Sequence, residues 1–262
     1  MGNWLYNGLR MGVRTTRYPR EADNTPGVTP GLPAGRALKN GELGEVANRC
    51  PTGALARHER LLTVDYRRCV HCFQCVRGTE DPVPWIGGVE WARIAAPTDA
   101  AARPETPSAS ETAASWRPLG AAFTKSIHVR VVDAGDCGAC LREVKQLSNP
   151  YYNLHRLGFF ITPTPRQADV LLVVGAGTDQ MRAALEKAYA AMPTPCRVLA
   201  VGACALSGGV FGPSFMCSNG VGSIVPVDVE VPGNPPPPLA ILHGLLVVTG
   251  RAREFSGESR SS

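Results

Sequence analysis

The chain has 262 residues, enough for one large or two small domains, and its 44% apolar residues allow a packed core. Its net charge of +5 is spread along the sequence, which argues against a dedicated nucleic-acid binder. There are nine cysteines, mostly in C-x2-C spacings, and the N-terminus lacks the apolar run of a signal peptide. These features predict metal-binding cysteines in a reducing, cytoplasmic compartment.

Three regions follow one another along the chain. Residues 1–95 contain short apolar runs broken by Gly and Pro. Residues 96–120 are rich in Ala, Pro, Ser and Thr and are typical of a linker. Residues 121–262 alternate strand-like and helix-like runs. We therefore predict two domains, 1–95 and 121–262, joined by that linker.

The third region predicts a parallel α/β sheet. Its apolar and β-branched runs indicate strands, and its amphipathic runs indicate helices, one of them capped by Thr178. Strand, helix and strand in this order imply right-handed βαβ units. The predicted strands are 127–133, 159–162, 168–174 and 197–201, and the predicted helices are 141–147, 179–192 and a closing helix from Leu239 onward.

The N-terminal cysteines fit half of a two-cluster ferredoxin pattern. Bacterial ferredoxins repeat C-x2-C-x2-C-x3-C-P, and the fourth cysteine of each repeat binds the other cluster. The run CVHCFQC at 69–75 and the run CPTGAL at 50–55 supply one complete [4Fe–4S] site through Cys50, Cys69, Cys72 and Cys75. The four missing ligands all belong to the other site and fall on Asn40, Leu43, Val46 and Thr79.

A four-cysteine zinc site is the alternative for the same residues. Zinc prefers two separated C-x2-C pairs, whereas overlapping C-x2-C steps with a distant C-P favour a cluster. His71 lies between ligands and is predicted to be a solvated or packing residue.

A second group of cysteines follows two predicted strands. Cys137 and Cys140, in GDCGAC, come after the strand ending at Asp133, and Cys204 comes after the strand ending near Val201. Because sites in open parallel sheets form beyond the carboxyl ends of strands, we expect these three thiols at one edge. The GAGT run at 175–178 lacks the third glycine of a dinucleotide fingerprint and is interpreted as a strand–helix turn.

These motifs resemble a known family. The runs VDAGDCGACLREVK, VGACALSGGVFG and VPVDVEVPGNPPPP, within about residues 127–250, are similar to the 20-kDa-type small subunit of complex I and of membrane-bound [NiFe] hydrogenases, especially the formate-hydrogenlyase type. The resemblance implies a flavodoxin-like α/β fold and a proximal [4Fe–4S] cluster beside a large catalytic subunit. It also implies that Cys137, Cys140 and Cys204 are ligands of that cluster.

The resemblance fails at one ligand. The family's fourth cysteine lies in PGCPP, and this chain reads PGNPP with Asn234 in that slot. Asn234, water or Cys217 could complete the site, or one iron could be lost to leave a [3Fe–4S] cluster. Glu143 matches an acidic residue of the family motif, with either a proton-coupling or a structural role. Cys196 is predicted to be a core residue.

The N-terminal segment resembles the ferredoxin-like subunits of the same complexes through its RTTRYP and CPTGAL runs. The chain is thus interpreted as a fusion of a small α+β ferredoxin-like domain with a flavodoxin-like parallel-sheet domain.

Three functions are considered. The first is an electron-transfer subunit between a redox donor or acceptor protein and a hydrogenase-like large subunit, associated peripherally with membrane-arm subunits at the inner face of the cell membrane. No side chain is expected to act as a nucleophile or general base, and no nucleic acid is expected. The second is a structural scaffold with a degenerate proximal site, and the third is a zinc-stabilised interaction or nucleic-acid module.

Overall fold

The computed structural model describes residues 3–23, 31–37, 45–77, 82–95, 118–119 and 125–255. Asn40, Leu43, Thr79 and most of the predicted linker lie outside these residues. The elements before the linker are α1 (Trp4–Met11), β1 (Leu32–Pro33), β2 (Arg36–Ala37), α2 (Glu45–Asn48), β3 (Leu55–His58), β4 (Leu61–Val64), β5 (Trp85–Ile86) and β6 (Arg93–Ile94).

The elements after the linker form the larger part of the fold. They are β7 (Ile127–Asp133), α3 (Ala139–Gln146), β8 (Phe159–Ile161), β9 (Val170–Val174), α4 (Asp179–Ala190), β10 (Arg197–Val201), α5 (Ala203–Ser207), β11 (Val229–Val231) and α6 (Pro238–Val248). Among the helices of the described residues, none is long and apolar enough to cross a membrane.

The main sheet has six strands in the order β6-β11-β10-β9-β7-β8. Its five strands from β7 onward are parallel and follow the flavodoxin-like order 2-1-3-4-5 when counted along the chain. Strand β6 pairs antiparallel with β11 at one edge. The predicted parallel α/β sheet is therefore confirmed, with an antiparallel edge strand added from the N-terminal half.

The central strand β9 is buried on both faces, as its unbroken apolar sequence predicts. Val170, Leu172 and Val174 contribute to one hydrophobic core together with residues of α3 and α6. Leu171 and Val173 contribute to a second core together with residues of α4 and α5. Helices thus cover both faces, and the loops that follow the strands are left to form a site at the sheet edge.

The N-terminal half contains two small antiparallel sheets, β1-β5 and β2-β4-β3. It is not isolated from the main sheet, because Tyr18, Leu32, Val89 and Trp91 belong to the same large core as β7 and β9. Within the predicted linker, the described Leu119 is also buried in that core. The ferredoxin-like nature of this half and the boundaries 1–95, 96–120 and 121–262 stay predictions.

Several local expectations differ from the structure, among them the start of α3 at Ala139 rather than 141 and the start of β9 at Val170 rather than 168. Helix α4 ends at Ala190 rather than Met192, since the chain turns there towards β10. Thr178 occupies the N-cap position, but its side chain makes no capping hydrogen bond to any described residue. Its backbone is instead engaged in a bridge to Cys217, and a Cβ at Gly135 would lie 2.4 Å from its methyl group.

Candidate metal centre

The four N-terminal cysteines come together around one cavity. Cys50, Cys69, Cys72 and Cys75 all line a space of about 360 Å³, its open mouth included. Its apolar wall comes from residues of the two small sheets and the cysteine loop, among them Pro33, Leu55, Val64 and Trp85. Four converging thiols in a half-buried, apolar cavity are a donor set that fits an iron–sulfur cubane.

The chain builds this cavity from two turns. Cys50 follows α2, where its amide donates to Ala47 and its carbonyl accepts from Gly53. In the second turn, His71 and Phe73 have positive φ values of 51° and 62°. This alternation of left-handed residues bends the backbone sharply between Cys69, Cys72 and Cys75.

Hydrogen bonds and burial shift the pKa values of these thiols in opposite directions. Burial alone would raise the pKa of Cys50, but hydrogen bonds from Thr52, Ala54 and Leu55 outweigh it, and the pKa is lowered. The amide of Ala54 donates to Cys50 Sγ at 3.2 Å. Burial raises the pKa of Cys69 to about 11, and the nearby Cys50, Cys75 and Cys72 add to the shift. Binding iron at this site must therefore displace a proton from Cys69.

His71 is a packing residue in this structure. Its ring contacts the edges of Trp85 and Trp91 at centroid distances of 5.5 and 5.7 Å. Burial lowers its pKa to about 4, and its Nε2 has no hydrogen-bond partner among the described residues. One of the two alternatives predicted for His71, packing rather than solvation, is the one found.

The slot predicted to have lost its ligand at Val46 is filled by packing. Val46 is buried in a small core with Leu55, Leu62 and Val83, and Cys50 and Cys75 pack against the same core. At this position of the missing second site, an apolar side chain packs into the core where a two-cluster ferredoxin would carry a ligand cysteine.

The C-terminal cysteines lie at the carboxyl edge of the main sheet, as predicted. Cys137 follows β7, Cys140 lies in the first turn of α3, and Cys204 lies in the first turn of α5 after β10. Cys140 and Cys204 are buried and Cys137 is exposed. Burial raises the pKa of Cys140, and the charges of Asp136, Cys204 and Cys137 add to the shift.

Glycine backbone closes around the two buried sulfurs. A Cβ at Gly202 would lie 2.6 Å from Cys140 Sγ, and a Cβ at Gly209 would lie 2.8 Å from Cys204 Sγ. Both glycines have positive φ, at 91° and 58°. Only a residue without a side chain fits in these two places, so the sulfurs rest directly against the main chain.

Gly202→Ala is expected to disrupt this edge, because the new methyl group must displace Cys140 Sγ and the backbone conformation is unfavourable for alanine. We expect a loss of about 2–3 kcal/mol in the free energy of unfolding and, if the C-terminal cysteines bind iron, loss of that iron. Chemical denaturation and iron analysis measure both. Gly87→Ala is the matched control, since no described atom lies within 4 Å of a Cβ there. Equal effects of the two substitutions would contradict the close packing of the Gly202 backbone against Cys140 Sγ.

Asp136 adds a negative charge to the C-terminal thiols. Its Oδ2 accepts hydrogen bonds from the amides of Gly138 and Leu141 at 3.0 and 3.1 Å. Its Oδ1 is buried without a hydrogen-bond partner among the described residues. After burial, the largest cause that raises the pKa of Cys140 is the charge of Asp136. The raised pKa keeps the Cys140 thiol protonated, so a metal that binds there must displace its proton.

Asn234, predicted as a possible fourth ligand, lies at the same edge but has another partner. The carbonyl of Gly233 accepts from the Ala203 amide at 2.8 Å, which fixes the Asn234 loop beside Cys204. The Asn234 side-chain amide donates to the carbonyl of Val70 at 3.2 Å. Val70 lies in the wall of the N-terminal cavity, directly after Cys69.

Cys217, the other possible fourth ligand, is near Cys204. It is half-buried, and its charge is among those that raise the pKa of Cys204, after burial and the charges of Cys137 and Asp136. The backbone of its segment is held by hydrogen bonds from Asp179 to Met216 and from Ser218 to Gly177. The structure thus brings Cys217 towards the predicted ligands, and the identity of the fourth ligand stays a prediction.

Glu143 lies one helical turn after Cys140, and after burial its charge is among those that raise the pKa of Cys140. Glu143 is half-buried on α3, and burial raises its pKa. Cys196 is buried in the core on the α4 side of the sheet, where the sequence predicted packing.

Arg67 was not singled out from the sequence, yet it connects the two cysteine groups. Its guanidinium lies 3.1 Å from the carboxylate of Glu230 and donates to the carbonyl of Leu206 at 3.2 Å. Its own carbonyl accepts from the Ser207 hydroxyl at 2.9 Å. Arg67, two positions before Cys69, is therefore hydrogen-bonded to helix α5, which carries Cys204.

Within the described ranges, no three or more His, Cys, Asp or Glu side chains are arranged closely enough to bind one metal ion. Whether the N-terminal cysteines hold a cluster or zinc stays a prediction.

Comparison with known proteins places this geometry in a family. The chain is 42% identical over 128 residues to the protein MJ0516 of Methanocaldococcus jannaschii, covering 49% of this chain and 86% of that protein. A family profile described as NADH ubiquinone oxidoreductase, 20 kDa subunit, matches residues 137–248, which include Cys137, Cys140 and Cys204. The chain belongs to this 20 kDa subunit family.

Two further proteins are similar to this chain. Formate hydrogenlyase subunit 7 of Escherichia coli is 36% identical over 160 residues, covering 61% of this chain and 63% of that subunit, just under two thirds. A solved chain from the membrane-bound sulfane sulfur reductase, an archaeal respiratory membrane complex, is similar with a TM-score of 0.43 and 29% identity, covering 51% of this chain and 76% of that one.

Proposed function

We propose that this chain is the electron-transfer subunit of a membrane-associated, hydrogenase-like or complex I-like oxidoreductase. Cys50, Cys69, Cys72 and Cys75 would hold one [4Fe–4S] cluster in a small ferredoxin-like domain. Cys137, Cys140 and Cys204 would hold three corners of a second, proximal [4Fe–4S] or [3Fe–4S] cluster. Membership of the 20 kDa subunit family and the two groups of converging thiols support this proposal.

One contact carries the proposal. The hydrogen bond from Asn234 to Val70 spans from the fourth-ligand slot of the C-terminal site to the wall of the N-terminal cavity. Since electron transfer requires close approach of the redox centres, two cysteine groups joined by one side chain suit a relay. The ion pair and hydrogen bonds of Arg67 hold the same two segments together.

Iron–sulfur clusters, when bound, supply reversible one-electron transfer with potentials set by burial and by hydrogen bonds to sulfur. The residues of this chain would provide both influences. The Ala54 amide donates to Cys50 Sγ, and the Gly202 and Gly209 backbone lies against Cys140 and Cys204. The half-buried carboxylate of Asp136 adds negative charge beside the proximal thiols, which disfavours further reduction there.

The proposed partner at the proximal edge is a hydrogenase-like large subunit. The loop between Cys204 and Cys217 exposes Val210, Phe211 and Phe215, and an exposed apolar loop beside buried redox thiols supports coverage by another subunit. The similarity to subunit 7 of formate hydrogenlyase supports the same kind of assembly. We extend the proposal to membrane-arm subunits, a redox donor or acceptor protein, and the cytoplasmic face of the membrane.

A scaffold role is the second candidate, and a specific observation favours it. The amide of Asn234 is engaged with Val70, so the slot of the fourth ligand serves a structural contact. A chain with only the N-terminal cluster could still dock a large subunit against the membrane arm.

Asn234→Cys is expected to turn the proximal site into an ordinary four-thiolate site, because thiolate binds iron far better than a neutral amide. Iron at this site should then be lost several-fold more slowly in air, which visible absorbance and iron analysis follow. Asn234→Ala is the control, since it removes the bond to Val70 without adding a thiolate.

Cys217→Ala tests the substitute ligand in the same assay. Loss of the proximal iron would identify Cys217 as the fourth ligand, whereas an unchanged iron content would exclude it from that role.

The relay and the scaffold are separated by metal analysis of the anaerobically purified full chain in its assembled complex. The relay predicts about seven to eight irons per chain with matching acid-labile sulfide, and the scaffold about four. A colourless chain containing zinc would overturn both.

A further inference from the structure

Helix α1 is an exposed amphipathic element. Trp4, Leu5, Leu9 and Met11 share one side of the helix by its 3.6-residue period, and Arg10 lies on the other. Trp4 is 76% exposed and Leu9 is 77% exposed. None of the eight residues of α1 is buried against the described part of the chain.

This helix is also poorly stabilised by itself. An isolated helix of eight residues is marginal in water, and Gly8 near its middle weakens it further. Its N-cap Asn3 makes no side-chain hydrogen bond to the described residues. A surface that covers the apolar side would therefore stabilise the helix as well as bury its side chains.

The charges around α1 are strongly biased. Arg10, Arg14, Arg17 and Arg20 are all exposed, and residues 3–20 contain no Asp or Glu. Glu21 pairs with Arg17 at 3.0 Å, which leaves three arginines without a carboxylate in this stretch. Trp4 and Tyr6 add rings with an apolar body and a polar tip, which suit the boundary between acyl chains and headgroups.

The segment that follows α1 is anchored on the body of the protein. Thr16 donates through its amide to the Tyr151 carbonyl at 2.9 Å, and Tyr18 is buried in the main core. Arg156 donates to the Tyr18 carbonyl. Residues 12–15, of which 12–14 are exposed, then form a short tether between this anchor and α1.

We propose that α1 and the arginines that follow it bind an anionic lipid surface, with the apolar side of the helix inserted at the headgroup boundary. The combination of an apolar helix side, interfacial aromatic residues and a cationic stretch fits lipid phosphate better than a protein groove. The inference deepens the peripheral membrane association of the proposed function and rests on it.

The test uses the anaerobic full chain and sedimentation with two kinds of vesicle, pure phosphatidylcholine and phosphatidylcholine mixed with phosphatidylglycerol. We expect binding to the anionic vesicles, weakened by salt, with a blue shift of Trp4 emission that is absent in Trp4→Phe. Leu5→Glu/Leu9→Glu should reduce binding at least tenfold. Arg10→Gln/Arg14→Gln should reduce it about 25-fold, or fivefold for each arginine.

Leu61→Glu is the matched control, because Leu61 is an exposed leucine on β4 far from α1 in sequence, and it should leave vesicle binding unchanged. Absence of binding to anionic vesicles, or an equal effect of Leu61→Glu, would overturn the proposal. Self-association of the chain that is abolished by Leu5→Glu/Leu9→Glu would assign the helix to a second copy and also overturn it. Iron content is measured in parallel, so failure of the lipid proposal is distinguishable from failure of the electron relay.

Discussion

Cys69→Ala is expected to remove about four irons from each anaerobically prepared chain, the whole content of the N-terminal site. Cys69 is the most strongly shifted of the cavity's thiols, with burial raising its pKa to about 11, and it lies beside the other three cysteines. An alanine there leaves one corner of the cubane without a ligand in a cavity lined mostly by carbon. Since bound metal adds to the stability of the folded state, the midpoint temperature of unfolding should fall as well.

Cys196→Ala is the matched control for this change. Cys196 likewise forms no disulfide, but it is buried in the core on the α4 side of the sheet. Its replacement should leave the iron content unchanged. An N-terminal iron content that survives Cys69→Ala, or falls equally with Cys196→Ala, would contradict the assignment.

Arg67→Ala is expected to lower the free energy of unfolding by about 2 kcal/mol at neutral pH. The variant leaves the nearly buried Glu230 carboxylate without its 3.1 Å partner and breaks the bond to the Leu206 carbonyl. Loss of one partner from a fully buried pair costs about 3–5 kcal/mol, and this value is reduced because Arg67 is partly exposed and Arg93 still acts on Glu230. Urea denaturation of wild type and variant measures the difference.

The pH dependence of this effect has a definite sign. Burial raises the pKa of Glu230 above its ordinary value, and the charges of Arg67 and Arg93 partly oppose the shift. The folded state therefore favours the protonated carboxyl more than the unfolded state does, and the variant raises that pKa further. The loss in free energy of unfolding caused by Arg67→Ala should be largest near pH 7. It should shrink as the pH falls towards the pKa of Glu230 in the folded state.

Two companion variants isolate the cause. Glu230→Gln combined with Arg67→Ala should recover part of the lost stability, because no buried charge remains. Arg67→Lys should retain part of the ion pair without the donation to Leu206. A deficit that is independent of pH and unchanged by Glu230→Gln would show that Glu230 is not the source.

Local sequence patterns predicted much of the C-terminal fold. The strands 127–133 and 197–201 have the predicted bounds, since a β-branched run and an apolar run that end at glycine-containing turns have few alternatives. The position of Cys137, Cys140 and Cys204 at one edge of the sheet also follows from the predicted strand order. The end of α4 was placed two residues too late, because the final turn of a helix carries little signal in its sequence.

Contacts between distant segments could not be predicted in this way. Arg67 meets Glu230 and Leu206 across more than a hundred residues, and a single arginine beside a cysteine motif gives no sign of its partner. Strand β6 joins the main sheet through only Arg93 and Ile94, too short a run to indicate pairing. The bond from Asn234 to Val70 likewise depends on how the two halves pack. Asp136 lies directly before Cys137, so its place in the cysteine motif alone could have marked it as part of the site.

The central claim is that two iron–sulfur sites lie next to each other within one chain. Electron paramagnetic resonance of the fully reduced full chain tests it most directly. We predict two paramagnetic clusters whose spectra are broadened or split by mutual interaction, and a simple spectrum of one cluster in Cys69→Ala. Two signals without interaction, or the signal of a single cluster in the wild-type chain, would contradict the account.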